Sequence, residues 1–249
     1  GRIGERAGTP LLLQLLAARE EGVRAGAAFA LGTLGDSAAA PELAQLLDGF
    51  PPVVTGAFET EVVTALCKIG GEVAAAAVER LLQRHPPDGP NDDRASATAL
   101  LEAWRLRRGS PVARRLAAYV RSAGGEWRRN AAYSAGRLRV NDAADALLQL
   151  ANDPDALTRA WAARGMSAAL ADSSRLGRDQ FTSRIRGLLG DPDAQVRINA
   201  LRALATFRDP ALAPLAAPDL TDGDQNVMVQ AAIALGALGG TRAAQVLAE

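Results

Sequence analysis

Apolar residues recur along this chain at fixed places in a helical cycle, and the whole cycle then recurs. From Val23 the sequence reads VRAGAAFALGTLGD, and from Val227 it reads VMVQAAIALGALGG. With Val23 as position zero, the pattern returns with zeros at Phe58, Ala95, Trp127, Leu157, Val196 and Val227, at gaps of 30 to 39 residues. Four places after zero stand Ala27, Val62, Ala99, Ala131, Trp161, Ala200 and Ala231. Eight after it stand Leu31, Leu66, Ala103, Ala135, Gly165, Leu204 and Leu235, and eleven after it Leu34, Ile69, Leu106, Leu138, Ala168, Phe207 and Leu238. Offsets 0, 4, 8 and 11 share one face of an α-helix, which predicts its buried stripe. A second apolar pattern lies between these helices, as in APELAQLL from Ala40 and ADALLQL from Ala144. Joining segments such as NDPDA from Asn152 and GDPDA from Gly190 offer an Asp cap and a Pro at a helix start. Each unit is therefore a helical hairpin, and a period in the thirties predicts a stack of them, none able to bury its apolar face alone.

Composition agrees. The chain has 249 residues, 48% hydrophobic but only 4% aromatic, which predicts a core of Ala and Leu that suits closely spaced helices better than sheets. Formal net charge is zero, so no global field draws the molecule to nucleic acid or acidic lipid. The single cysteine, Cys67, excludes a disulfide framework within one chain; a reducing compartment fits, as does any other, and a cytoplasmic location is only weakly favoured. No apolar run is long enough to span a bilayer, and no membrane partner is expected.

The segment DPDAQVRINALRAL from Asp191 resembles the HEAT repeat, and the ALGxLGD endings resemble the HEAT-like repeats first named from phycobilisome bilin lyases. The resemblance covers essentially the whole chain, although Glu59 and Ser96 stand where the family prefers Arg. It implies an all-α fold, a right-handed α-solenoid of about seven to eight stacked hairpins, forming one array over residues 1–249. Arg24, Arg128 and Arg197 match the family's Asp–Arg ladder between turns, with Asp191 six places before Arg197. GRIGERAGTPLLLQLL at the start and TRAAQVLAE at the finish both read as interrupted repeats. The expectation is an excerpt of a longer array or multidomain protein.

Candidate chemistry is sparse. His85, the only histidine, sits in RHPPDGPNDD and reads as a solvated loop residue. The HEAT-like metal hydroxylases need several His–Glu pairs, which excludes that class. Cys67 lies nine after zero, beside the buried stripe, and reads as apolar filler. Trp127 and Trp161 fall on core columns and Trp104 beside one, so packing is preferred to base stacking. No cofactor, metal or catalytic residue is implied. DGFPPVVTG from Asp48, RHPPDGPNDD from Arg84 and ADSSRLGRDQ from Ala171 are expected to be mobile insertions.

A polar stripe remains. Offsets 3, 7 and 10 are expected to lie opposite the buried columns, on the face that lines the concave side of HEAT proteins. The binding candidates on and beside it are Arg105, Asn130, Tyr133, Arg137, Arg164, Asn199 and Arg202. Charge is also segregated: residues 36–93 carry ten acids against three bases, a net −7, while residues 94–139 carry eleven arginines against two acids, a net +9. Without an assembled acid–base or metal constellation, the expected function is a non-catalytic protein-interaction scaffold holding a protein or acidic peptide on the concave face. The alternatives are a nucleic-acid-binding relative of the alkylpurine DNA glycosylases, or a repeat segment serving a catalytic domain elsewhere, as a bilin lyase-type subunit or fused prolyl isomerase would be.

Overall fold

The computed structural model describes residues 6–51, 53, 56–90 and 92–248. Among them are sixteen α-helices, short 3-10 segments and no strand. The chain divides into two compact units, one ending at Ser134 and the other beginning at Ala135.

The first unit contains α1 (Thr9–Leu15), α2 (Glu21–Leu34), α3 (Ala40–Asp48), α4 (Ala57–Ile69), α5 (Gly71–Arg84), α6 (Arg94–Glu102), α7 (Pro111–Ser122) and most of α8 (Gly125–Leu138). The second contains α9 (Ala144–Gln149), α10 (Ala156–Gly165), α11 (Ala168–Ser173), α12 (Gly177–Leu189), α13 (Ala194–Ala205), α14 (Ala213–Ala216), α15 (Gln225–Leu238) and α16 (Gly240–Ala248). Second helices stack on second helices, α2 on α4 on α6 and α10 on α13 on α15. First helices do the same, α3 on α5 on α7. This nearest-neighbour stacking makes the fold an α-solenoid.

The helices start where the sequence caps them. The carboxylates of Asp93, Asp155, Asp193 and Asp224 accept from the backbone N–H groups of Ser96, Thr158, Val196 and Asn226 at the starts of α6, α10, α13 and α15. Pro10, Pro41 and Pro111 occupy first turns, where a missing N–H costs nothing. Leu31, Leu66, Leu204 and Leu235, eight after their zeros, are wholly buried.

One unit is out of register. Leu157, taken as its zero, is 41% exposed, whereas Thr158 is buried. With Thr158 as zero, Ala162 and Met166 become the fully buried offsets 4 and 8, and Trp161 moves off the core column to a half-buried edge. Thr158 tolerates burial because its hydroxyl donates to Asp155 at 2.6 Å.

The joining stretches are better anchored than expected. The stretch from Ala171 finishes α11 and leaves only residues 174–176 before α12, and Arg178 grips Asp172 at 2.6 and 2.9 Å across that turn. In the stretch from Asp48, Phe50 packs edge-on against Phe58 with ring centres 6.0 Å apart; Pro52, Val54 and Thr55 lie outside the described residues. The stretch from Arg84 contains Asn91, also outside them, but its start is tied down. The Tyr119 hydroxyl faces the carbonyls of Leu82 and His85, and burial raises that phenol to about 12.

Candidate functional site

An α-helix turns about 100° per residue. Offsets 0, 4, 8 and 11 therefore centre near 40°, and offsets 3, 7 and 10 lie about a quarter turn away instead of opposite. That is the side on which the preceding second helix sits. The expectation for the polar stripe is corrected accordingly. Asn130 is buried, and its Nδ2 donates to the Ala97 carbonyl of α6 at 2.9 Å. Asn199, also buried, donates in the same way to the Ala160 carbonyl of α10 at 2.9 Å. Ser134 Oγ donates to the Leu101 carbonyl and accepts from Trp104 N–H. Thr206 Oγ accepts from Ala168 N–H. Asn130, Ser134 and Asn199 are thus satisfied by the neighbouring helix inside the stack and are not presented to a partner, whereas Thr206 is exposed.

Offsets 2 and 6 are the ones that face away from the core. In the second unit offset 6 reads Arg164, Arg202 and Ile233 on α10, α13 and α15, and the arginines are exposed. Offset 2 offers half-buried Ile198 and exposed Val229. Val229 and Ile233 are more than half exposed. Arg137, at offset 10 on α8, is exposed too. In the first unit the same side carries Phe29, 53% exposed with the Lys68 ammonium 4.6 Å from its ring centre, and half-buried Tyr133. Arg105 is exposed, pairs with Glu102 and lies 4.4 Å from the Trp104 ring centre. Phe29, Ile198, Val229 and Ile233 do not stand out in the sequence, because an apolar residue outside the buried columns carries no polar mark of an open face. Their signal was their place two and six after zero.

Arg202 is held in position. Its Nε donates to Gln230 Oε1 at 3.0 Å and its Nη1 to Asn199 Oδ1 at 3.3 Å. Both acceptors are neutral amides, so they orient the guanidinium without cancelling its charge. No Asp or Glu occurs in α10, α13 or α15.

The ladder arginines have a different fate. Arg159 Nε and Nη2 clasp the Asp191 carboxylate at 2.7 and 2.8 Å, while Nη1 takes the carbonyls of Asp153 and Pro154. Arg197 repeats this one turn on, clasping Asp222 at 2.8 Å with both nitrogens and taking the carbonyls of Asp191 and Pro192. Asp191 thus gives its carboxylate to the preceding turn's Arg159 and only its carbonyl to Arg197. The hydrogen bonds from these arginines hold the Asp191 and Asp222 carboxyls below the usual range.

His85 is not a solvated loop residue. Its side chain is 13% exposed. Nδ1 lies 2.9 Å from Ser96 Oγ, 3.2 Å from the Leu81 carbonyl and 3.6 Å from Asp93 Oδ2, and the ring meets Trp127 edge-on. Serine and aspartate share one ring nitrogen, and Ser96 is fully buried. A nucleophilic triad needs them on opposite nitrogens, so the cluster joins α5, α6 and α8 without forming one. Cys67 is fully buried, which pushes its thiol far above the usual range. Among the described residues, no three His, Cys, Asp or Glu are grouped to hold a metal ion, and no helix is long and apolar enough to cross a membrane.

The segregated charge is partly settled within the first unit. Arg115 of the basic segment pairs with Glu79 of the acidic one at 3.2 Å, and Arg80 grips Asp48 at 2.7 Å.

A comparison with curated protein sequences finds no match. Solved structures show the same fold. E. coli YibA matches with a TM-score of 0.62 and 18% identity over 96% of this chain and 84% of that one. The complex of CpcE and CpcF of phycocyanin lyase from Nostoc sp. PCC7120 matches at 0.61 and 18%, over 100% and 95%. An engineered protein matches at 0.58 and 20%, over 96% and 71%. The HEAT repeat family model covers residues 9–102 and 182–249, about two thirds of the sequence. The chain belongs to the HEAT repeat family.

Proposed function

We propose that this protein is a non-catalytic interaction scaffold that holds an acidic protein segment on the open side of its second helices. The observation that carries this reading is the pairing of exposed Arg164 and Arg202 with three successive helices that contain no acid. Arg137 extends the same positive charge. A carboxylate approaching this side meets cations, one of them oriented in advance by neutral amides, which lowers the ordering cost of binding. Arg105 is the weaker contributor of the charges expected from sequence, because Glu102 already pairs with it. Asn130 and Asn199 act behind the surface, the second by steering Arg202.

The test is capture of partners from the source lysate by wild type and by the double variant Arg164→Glu, Arg202→Glu. Both residues are exposed, so the double variant should stay folded, with a melting temperature lowered only by the lost hydrogen bonds from Arg202 to Gln230 and Asn199, while captured acidic partners disappear. An unchanged set of partners removes this face from consideration.

A further inference from the structure

The open side of the second unit carries charge and apolar surface in a fixed order. Along offset 6 it runs Arg164, Arg202, Ile233, one from each of three helices packed side by side. Ile198 and Val229 stand four residues before Arg202 and Ile233, one helical turn along the same faces. Val229 and Ile233 are 54% and 56% exposed on a helix with no charged residue to mask them. Two exposed cations are thus followed by an exposed aliphatic shelf along one side.

Packed helices lie about 8–10 Å apart. A polyproline II strand rises about 3.1 Å per residue and returns to the same face every third residue. Three of its residues cover about 9 Å, one helix spacing, and every third side chain points the same way. A pleated β-strand rises a similar distance but alternates its faces, so residues three apart would point oppositely. Only the former puts successive side chains down onto Arg164, Arg202 and Ile233 together.

We propose that the second unit recognises an extended acidic segment in polyproline II form, with two carboxylates three residues apart and an aliphatic side chain three residues beyond the second. The first carboxylate meets Arg164, the second meets Arg202 as set by Gln230 and Asn199, and the aliphatic side chain lies on Ile233 and Val229. Residues between them tolerate proline, which pre-forms the strand. The inference rests on the proposed scaffold function and adds the spacing, order and conformation of what is bound.

Fluorescence anisotropy with the whole chain tests it, using fluorescein-labelled twelve-residue peptides of equal composition. One carries Glu-Pro-Ala-Glu-Pro-Ala-Leu, and the other places the same two Glu and Leu two residues apart. The first should bind at least tenfold more tightly than the second. Arg202→Gln should weaken it at least tenfold and Ile233→Ser about fivefold, with Arg107→Gln as a surface control that changes nothing. Equal binding of both peptides, binding of neither, or indifference to Ile233→Ser overturns the inference. The scaffold reading survives those results if lysate capture still depends on Arg164 and Arg202, and falls with them if it does not.

Discussion

Gly136 and Gly165 bring two second helices into backbone contact. A Cβ added at Gly165 would stand 2.9 Å from the Gly136 Cα, and one added at Gly136 would meet Gly165 closer still. In the first unit Gly32 repeats the arrangement, with Ala65 Cα 2.7 Å from its missing Cβ. Backbone atoms cannot yield as a flexible side chain would, so the helices must move apart to admit a methyl group. Gly165→Ala should cost about 1–3 kcal/mol by overpacking, despite alanine's better helix propensity. Thermal melting checks this, and a variant as stable as wild type would mean that the helices separate freely.

Leu204 is fully buried eight after its zero on α13, between α10 and α15. Leu204→Ala should cost about 2–5 kcal/mol. Coupling in a solenoid runs to nearest neighbours, so hydrogen exchange should quicken first in α10, α13 and α15. Equal quickening in α2 would contradict a one-dimensional stack.

The arginine ladder should be structural. Arg197→Met removes the clasp on Asp222 and leaves the carbonyls of Asp191 and Pro192 without this donor. A loss on the order of 1–3 kcal/mol is expected, with lysate capture by the folded protein unchanged. Loss of capture at full stability would move Arg197 into the binding surface.

Acid and base should act on the second unit in opposite senses. Asp219 is buried before α15 with Oδ2 lacking a hydrogen bond among the described residues, and its carboxyl is raised to about 6 by burial, then by Asp222, against the opposing Arg197. The fold favours its neutral form, so this contribution is full below the ordinary carboxylate value and is lost as pH rises through about 6. Asp191 and Asp222, held low by arginine, lose theirs as pH falls instead. Asp219→Asn should raise the melting temperature at pH 7.5 by a few degrees and change little near pH 4. A lower melting temperature at pH 7.5 would show that the ionised carboxylate has a partner that matters.

The period and the buried columns were legible because Ala and Leu repeat where a helix needs them. The register of one unit was not, because Leu157 outscores Thr158 in apolarity while the Asp155 cap hides the threonine hydroxyl. Asn130 and Asn199 read as surface for a related reason. An amide signals water until a carbonyl of the neighbouring helix is seen to receive it. The aliphatic shelf escaped notice because α15 is apolar on nearly every side, and periodicity says little about such a helix.

Hydroxyl-radical footprinting of the protein, alone and with a partner captured from lysate, tests the central claim most directly, since it reads side-chain exposure residue by residue. The open side of α10, α13 and α15 should become protected, most strongly at Ile233, Val229 and Ile198, while Phe29 of the first unit and the outward residues of α12 keep their reactivity. Protection centred on α12 and α14, with Ile233 and Val229 as reactive as before, would contradict it.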